Sequence, residues 1–555
     1  MKLSRVWLAA ALLFTPTIVA FGTPTVKTLN GTYRGQYLPE WDQDVFLGMP
    51  YAQPPVGALR FRWPQSLNVS FGAVRRASTY GYSCMQYRGN FNMSEDCLSL
   101  SVVRPAGAHE SLPVLVWIFG GGLYTGSTAD PQYNLSGIVR VSQDMGRPIL
   151  AVSMNYRLNM YGFLQTPQIL AEGSSNAGLI DQRMAMRWIQ ENIAAFGGDP
   201  RKVVIWGESA GAQSIAYHLF SYDGRDDGLY RGAIMESGGP TGAQVQDLAY
   251  YSAPVDNLTR TVGCWTAKDQ LSCLRGLSQG HLYSAEPSQV WNPLIDGDFL
   301  RAYPSQLIRS GKFNRVPLLT GANSDEGTSF SVPGPETEQD LFNGLMSWRS
   351  YALSPPTILK LLELYPNDPC HEPPIYISNC SVFPSKGLQW RRGAAIGGDM
   401  VMVSGRRKMC ELHAAAGQSV FSYRFDTRPW NGAPINGVHH FDNVAFSFQN
   451  ISGLLGPSPD YDHHMKLARA IGEAYVWFVH NLDPNPPGTE TAEAAGAAAS
   501  MKSPAVSLPR WPRYTLDTPV NMVLNASGPW IEPDTFRKEG IAFLNTYEVA
   551  RELLA

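Results

Sequence analysis

A serine hydroxyl becomes a useful nucleophile only where a base takes its proton and a carboxylate orients that base, and separated stretches of this 555-residue chain hold all of these groups. Val203-Val204-Ile205-Trp206-Gly207-Glu208-Ser209-Ala210-Gly211 places a Gly-x-Ser-x-Gly directly after an apolar run and before Ala212 to Phe220, which reads as a helix. In a strand-turn-helix the serine stands at a sharp turn, and the glycines keep side chains out of the space where strand and helix approach. Upstream, Trp117-Ile118-Phe119-Gly120-Gly121-Gly122-Leu123 ends another apolar run in three glycines. Backbone N–H groups there can approach a developing oxyanion, so Gly121 and Gly122, with the amide of Ala210, are the candidate donors. A phosphate loop would need a Lys-Ser/Thr or a further spaced glycine, and neither follows. Acids come from Gly321-Ala322-Asn323-Ser324-Asp325-Glu326-Gly327 and imidazoles from Gly437-Val438-His439-His440-Phe441. Spacing alone does not choose between Asp325 and Glu326, or between His439 and His440. The implied chemistry is acyl transfer through Ser209, which calls for no metal and no organic cofactor. The His439/His440 and His463/His464 pairs lack the carboxylate or cysteine constellation of a metal site.

Such groups need a rigid scaffold. The apolar runs Val114 to Phe119, Ile149 to Tyr156, Val203 to Trp206, Gly232 to Met235 and Val316 to Gly321 predict buried parallel strands. Asp181 to Phe196 sets Met184, Trp188, Ile189, Ile193 and Phe196 at helical spacing before Gly197-Gly198-Asp199-Pro200 ends the pattern. Strand, helix, strand in that order predicts an α/β fold, a mostly parallel sheet covered by helices. A second helix is predicted from about His464 to Asn481, with Leu467, Ile471, Ala474, Tyr475 and Phe478 on one side. Residues 240–290 and 331–415 lack strand alternation and read as helical insertions around a substrate pocket. Asp483 to Pro509, with Pro-Asn-Pro-Pro-Gly and an Ala-rich stretch, reads as an exposed loop.

Lys+Arg 44 against Asp+Glu 47 leaves a net charge of −3 at pH 7, and 44% of residues are hydrophobic. This excludes a disordered chain and gives no basic cluster for a nucleic-acid partner. Met1 to Arg5 followed by apolar Val6 to Ala20 reads as a secretory signal peptide over residues 1–22, cleaved after Ala20 or Gly22. The run is shorter than the ~20 residues that span a bilayer, and no later stretch is long and apolar enough, so residues 23–555 are expected to be soluble and secreted. Sequons at Asn30, Asn68, Asn92, Asn134, Asn257, Asn379, Asn450 and Asn525 suit a secreted glycoprotein. The cysteines fall as Cys84/Cys97, Cys264/Cys273 and Cys370/Cys380, read as three small disulfide loops, with Cys410 left as a buried thiol.

From about Gly31 to the C-terminus the chain resembles the type-B carboxylesterase/lipase family, which includes cholinesterases and fungal lipases, and it looks most like secreted fungal carboxylesterases. The resemblance rests on Gly48-Met49-Pro50-Tyr51-Ala52-Gln53-Pro54-Pro55-Val56-Gly57, Ser94-Glu95-Asp96-Cys97-Leu98, Gly120 to Gly122, Asn155-Tyr156-Arg157-Leu158, Asn176-Ala177-Gly178-Leu179-Ile180-Asp181-Gln182, and Phe196-Gly197-Gly198-Asp199-Pro200 leading into Gly207 to Gly211. It implies one α/β-hydrolase domain over residues 23–555 and ester hydrolysis through an acyl-enzyme. It also implies Ser209 as nucleophile, Glu326 as acid and His440 as base, the last because Val444 and Phe446 stand four and six places beyond it. His439 falls out of that register. Asn443 stands where relatives carry an acid, and Glu208 is expected to be a buried, hydrogen-bonded support.

The Cys84/Cys97 loop encloses only twelve residues, Met85 to Asp96, with no tryptophan. Its counterparts in cholinesterases and fungal lipases are much longer and carry the choline-binding tryptophan or the lid. Neither choline specificity nor strong interfacial activation is therefore expected. Trp291 to Gly297 resembles the segment bordering the acyl pocket. The expected partner is a small ester of short to medium chain, or an aromatic one, together with water. The rivals are a lipase or sterol esterase and, in another class, a catalytically silent adhesion protein; retention of Ser209, Glu326 and His440 argues against the second.

Overall fold

The five apolar runs that predict strands all enter one eleven-stranded sheet. In chain order its strands are β1 (Gln36–Leu38), β2 (Gln43–Pro50), β3 (Ser99–Pro105), β4 (Leu112–Ile118), β5 (Leu150–Met154), β6 (Gly198–Glu208), β7 (Gly232–Glu236), β8 (Leu318–Asn323), β9 (Val420–Phe425), β10 (Val520–Leu524) and β11 (Trp530–Pro533). Across the sheet they run β11-β10-β9-β8-β7-β6-β4-β5-β3-β2-β1. Neighbours from β5 through β4 and β6 to β10 are parallel, and the strands at both edges pair antiparallel. The structure is a computed structural model that describes residues 23–87, 91–108, 111–242, 244–375, 377, 380–430, 432–450, 461–488 and 507–555. The expected leader at 1–22, Asn379 and the Ala-rich part of the 483–509 segment lie outside these.

β4 and β5 are buried along their whole length, which is why they read as continuous apolar runs. β3 escaped notice because Ser99, Ser101 and Arg104 interrupt its pattern, yet it too is buried except at its last residue. Arg104 is tolerated there because it pairs with Asp44 at 3.0 Å and donates to the Phe196 carbonyl at 2.9 Å. The predicted helices form as α1 (Ala177–Asn192), α2 (Ala210–Gly224) and α4 (Asp462–Asn481), and α3 (Ser404–Ala415) closes the second insertion. α1 tightens into a 3-10 turn over Ile193–Phe196 and ends at Gly197, φ +88°, so β6 begins at Gly198, two residues after the helical pattern ends.

Both segments read as insertions are largely helical. The first carries helices at Leu248–Thr261, Gln270–Gly276 and Gln279–Ser284; the second carries Glu338–Ser347, Pro355–Leu364 and Trp390–Gly398. The second packs a core of its own, with Leu341, Leu345, Ile358, Leu361 and Ile396 meeting Leu544 and Leu553 of the C-terminal helices. Cys84–Cys97, Cys264–Cys273 and Cys370–Cys380 are bonded. Cys410 is a buried free thiol, pushed up by burial to about 11. Three of the sequence phrases contribute to buried ion pairs: Arg157 of one pairs with Asp181 of another at 2.7 Å, and Glu95 of a third pairs with Arg60 at 2.6 Å.

Candidate active site

The reacting groups gather at the carboxyl ends of the parallel strands, where open α/β sheets hold their ligands. Ser209 follows β6 directly and heads α2 with φ +55° and ψ −123°, a conformation L-residues rarely adopt. That turn requires glycine on both sides. A Cβ on Gly211 would lie 2.1 Å from the Ile118 carbonyl, and one on Gly207 would lie 2.7 Å from the Gly211 carbonyl carbon. Gly120 to Gly122 follow β4 and lie against this turn, Gly120 so closely that an added Cβ would come 2.8 Å from the Ser209 Cβ. The N–H of Ala210 belongs to the first turn of α2, where the helix offers no acceptor, and the amides of Gly121 and Gly122 have no backbone partner among the described residues.

His440 Nε2 lies 2.8 Å from Ser209 Oγ, and His440 Nδ1 lies 2.6 Å from Glu326 Oε2. The other carboxylate oxygen of Glu326 accepts from Ser237 Oγ at 2.5 Å and from the Asn323 amide at 2.8 Å. Glu326 is therefore held by three donors, and Nδ1–H is the donor that leaves Nε2 free to accept the serine proton. Asp325 does something different: it accepts from the amides of Val438 and Ile375, both at 2.8 Å, and so pins the loop that carries His440. His439 turns to Asp442, at 2.7 Å. The geometry thus separates the two acids and the two histidines that spacing left open. His463 and His464 pack against Tyr461, and no group of three His, Cys, Asp or Glu side chains arranged to hold a metal ion occurs among the described residues.

Glu208 departs from expectation. It is buried, but neither carboxylate oxygen has a hydrogen-bond partner, and Oε1 lies 3.3 Å from His440 Nε2. Burial pushes its carboxyl up to about 8. Burial also disfavours the His440 imidazolium, but the charges of Glu208 and Glu326 outweigh it and raise the imidazole to about 9.

Ser209 opens into a cleft of about 340 Å³ whose walls include Tyr133, Phe330, Phe441, Gln244, Asn292 and Arg349. The Phe330 ring stands edge-on to His440 at 4.9 Å. Asn292 comes from the Trp291 to Gly297 segment that the sequence places beside the acyl pocket, and it reaches the cleft wall. Sequence reasoning missed Phe330, Gln244 and Arg349, because each comes from an insertion or loop and sits in no motif. Near the cleft, Gln86 and Tyr87 at the start of the short disulfide loop are tied down. Gln86 donates to the Gly126 carbonyl at 3.0 Å, and Tyr87 Oη donates to the Pro287 carbonyl at 2.5 Å. Of the sequons, Asn68, Asn92, Asn134 and Asn257 are exposed, whereas Asn30, Asn450 and Asn525 are half-buried. The amides of Asn30 and Asn525 already donate to the Leu67 and Asp426 carbonyls.

The model of the carboxylesterase family matches residues 22–529. The chain belongs to the carboxylesterase family. As a carboxylesterase it is a carboxylic ester hydrolase with an α/β-hydrolase fold. Lipase 4 of Diutina rugosa is 32% identical over 97% of this chain and 98% of its own length. A secreted triacylglycerol lipase of Gibberella zeae is 32% identical over 94% of this chain and 90% of its own. Among solved structures, Aspergillus niger EstA superposes with a TM-score of 0.81 at 27% identity, covering 96% of this carboxylesterase and 99% of EstA. A PNB esterase superposes at 0.75 and 27%, covering 94% and 100%.

Proposed function

We propose that this carboxylesterase is a secreted serine esterase that cleaves short- to medium-chain or aromatic esters through an acyl-enzyme on Ser209. The observation that carries the reading is His440, within hydrogen-bond reach of both Ser209 Oγ and Glu326 Oε2. His440 Nε2 takes the hydroxyl proton as Ser209 Oγ attacks the ester carbonyl, while Glu326 steadies the imidazolium. The amides of Gly121, Gly122 and Ala210 receive the oxyanion. His440 then gives its proton to the leaving alkoxide, and water, activated by the same imidazole, releases the acid. No step needs a metal or organic cofactor. Residues 23–555 act as one catalytic unit behind a cleaved leader.

The preference for short or aromatic esters is supported by the shortness of the twelve-residue Cys84/Cys97 loop, whose Gln86 and Tyr87 are fastened, and by the aromatic walls Tyr133, Phe330 and Phe441. The names of the relatives, lipase and triacylglycerol lipase, favour triacylglycerols instead. Secretion is supported by the basic-then-apolar start, three disulfides and a secreted relative; the exposed Asn68, Asn92, Asn134 and Asn257 suit glycan attachment. The test is kcat/KM on p-nitrophenyl esters from acetate to palmitate beside Ser209→Ala. The reading predicts a short-chain optimum that the substitution abolishes, and a rate jump on emulsified long-chain substrate would overturn the open-site part.

A further inference from the structure

Of the described residues that line the cleft, Arg349 is the one permanent cation, and the acyl-transfer steps do not use it. It is exposed. Its guanidinium carbon lies 5.6 Å from the Phe330 ring centroid, and that ring packs on His440, so a single aromatic ring separates the cation from the reacting imidazole. Consistent with this proximity, Arg349 opposes the imidazolium of His440. No carboxylate neutralises it among the described ion pairs, whereas in the surrounding layer Arg392 pairs with Glu338, Arg406 and Arg407 with Asp534, and Arg537 with Asp399.

The backbone beneath this cation is deliberately fixed. Arg349 and Ser350 both take left-handed φ values, +52° and +58°, which non-glycine residues hold only where the surroundings impose them. Gln244 Nε2 donates to the Arg349 carbonyl, and Asn292 Nδ2 donates to Gln244 Oε1 at 3.0 Å. The buried Tyr351, whose hydroxyl meets the Arg349 side chain, donates its hydroxyl proton to the Gly242 carbonyl at 3.1 Å, and the Ala352 amide donates to Glu552 O at 2.9 Å. Two lining amides of the cleft thus steady the segment that presents the guanidinium.

We propose that Arg349 is a specificity-determining residue that selects esters also bearing an anionic group, a carboxylate above all, gripped by the guanidinium while the ester carbonyl sits at Ser209. The inference rests on Ser209 being the nucleophile. A guanidinium fork matches the two oxygens of a carboxylate, and a charge-assisted contact of that kind is worth roughly 10- to 100-fold in kcat/KM.

Two matched pairs test it: p-nitrophenyl hexanoate against mono-p-nitrophenyl adipate, and 4-carbamoylphenyl acetate against 4-carboxyphenyl acetate. They put the charge on the acyl and alcohol sides in turn. The readout is the charged-to-neutral ratio of kcat/KM within each protein, so any general change in activity or folding cancels. In at least one pair Arg349→Gln should lower that ratio by roughly 10- to 100-fold, Arg349→Lys should restore part of it, and Arg349→Glu should lower it further. Added salt should shrink the wild-type preference. Ratios in both pairs that Arg349→Gln leaves unchanged would overturn the inference while leaving the esterase reading standing. If Ser209→Ala matches wild type on the neutral esters, both readings fall.

Discussion

Replacing Glu208 by Gln tests the proton inventory of the site, because it removes a charge and nearly keeps the shape. Glu208 Oε1 and His440 Nε2 are 3.3 Å apart, with Glu208 buried and the His440 side chain 15% exposed. Opposite unit charges at that distance attract by ~5 kcal/mol at an effective dielectric of about 20, equivalent to between 3 and 4 pKa units at about 1.36 kcal/mol each. That is a ceiling, since the Glu208 carboxyl, raised to about 8 by burial, is only partly ionised near neutrality. A downward shift of about 1 to 2 units in His440 from its value of about 9 is therefore expected. The imidazole must be neutral to accept the Ser209 proton, and removing a neighbouring anion favours the neutral form. The rising limb of kcat/KM should move toward lower pH in Glu208→Gln. The assay is kcat/KM on a soluble ester from about pH 5 to 10, which reports the free enzyme. A limb that stays in place, or moves upward, would refute the pairing of Glu208 with His440.

Glu326→Gln keeps the hydrogen-bond geometry but loses the charge behind Nδ1, so kcat should fall roughly 10³- to 10⁴-fold with KM little changed; a loss under tenfold would deny Glu326 its role. Gly211→Ala drives a Cβ to 2.1 Å from the Ile118 carbonyl, where neither β4 nor α2 can yield, and should abolish activity or folding; wild-type Tm and kcat together would contradict the elbow argument. Asp534→Asn strips a buried carboxylate from Arg406 and Arg407 and should cost about 3–5 kcal/mol in denaturant unfolding. Burial opposes the Asp534 charge, but the two guanidiniums prevail and hold its carboxyl well below the usual range. Its stabilisation is complete above the unfolded value of ~3.9 and is lost as pH falls toward the folded one, so the acid limb of the wild-type Tm profile should flatten in the variant.

The central strands and the serine turn were legible because burial on both faces writes itself into the sequence as unbroken apolar runs, and the turn's sterics demand glycine at 207 and 211. β3 and β9 were harder: Arg104 and Arg424 look like breaks in a strand until Asp44 and Glu532, distant in the chain, neutralise them. The choice of Glu326 over Asp325 needed the sequence resemblance or the structure, because both acids follow β8 and only their side-chain directions differ. The short disulfide loop could be read from cysteine spacing alone. Arg349 could not, because its approach to Phe330 and the cleft is made by the packing of the 338–364 helices into the second core.

The most direct test of the account is to label the protein with a fluorophosphonate and locate the adduct by peptide mass spectrometry while following ester hydrolysis. One adduct per chain is expected, on the peptide carrying Ser209, with activity lost in proportion and no labelling of Ser209→Ala. A label on another residue, or full activity in fully labelled protein, would contradict an acyl-enzyme on Ser209.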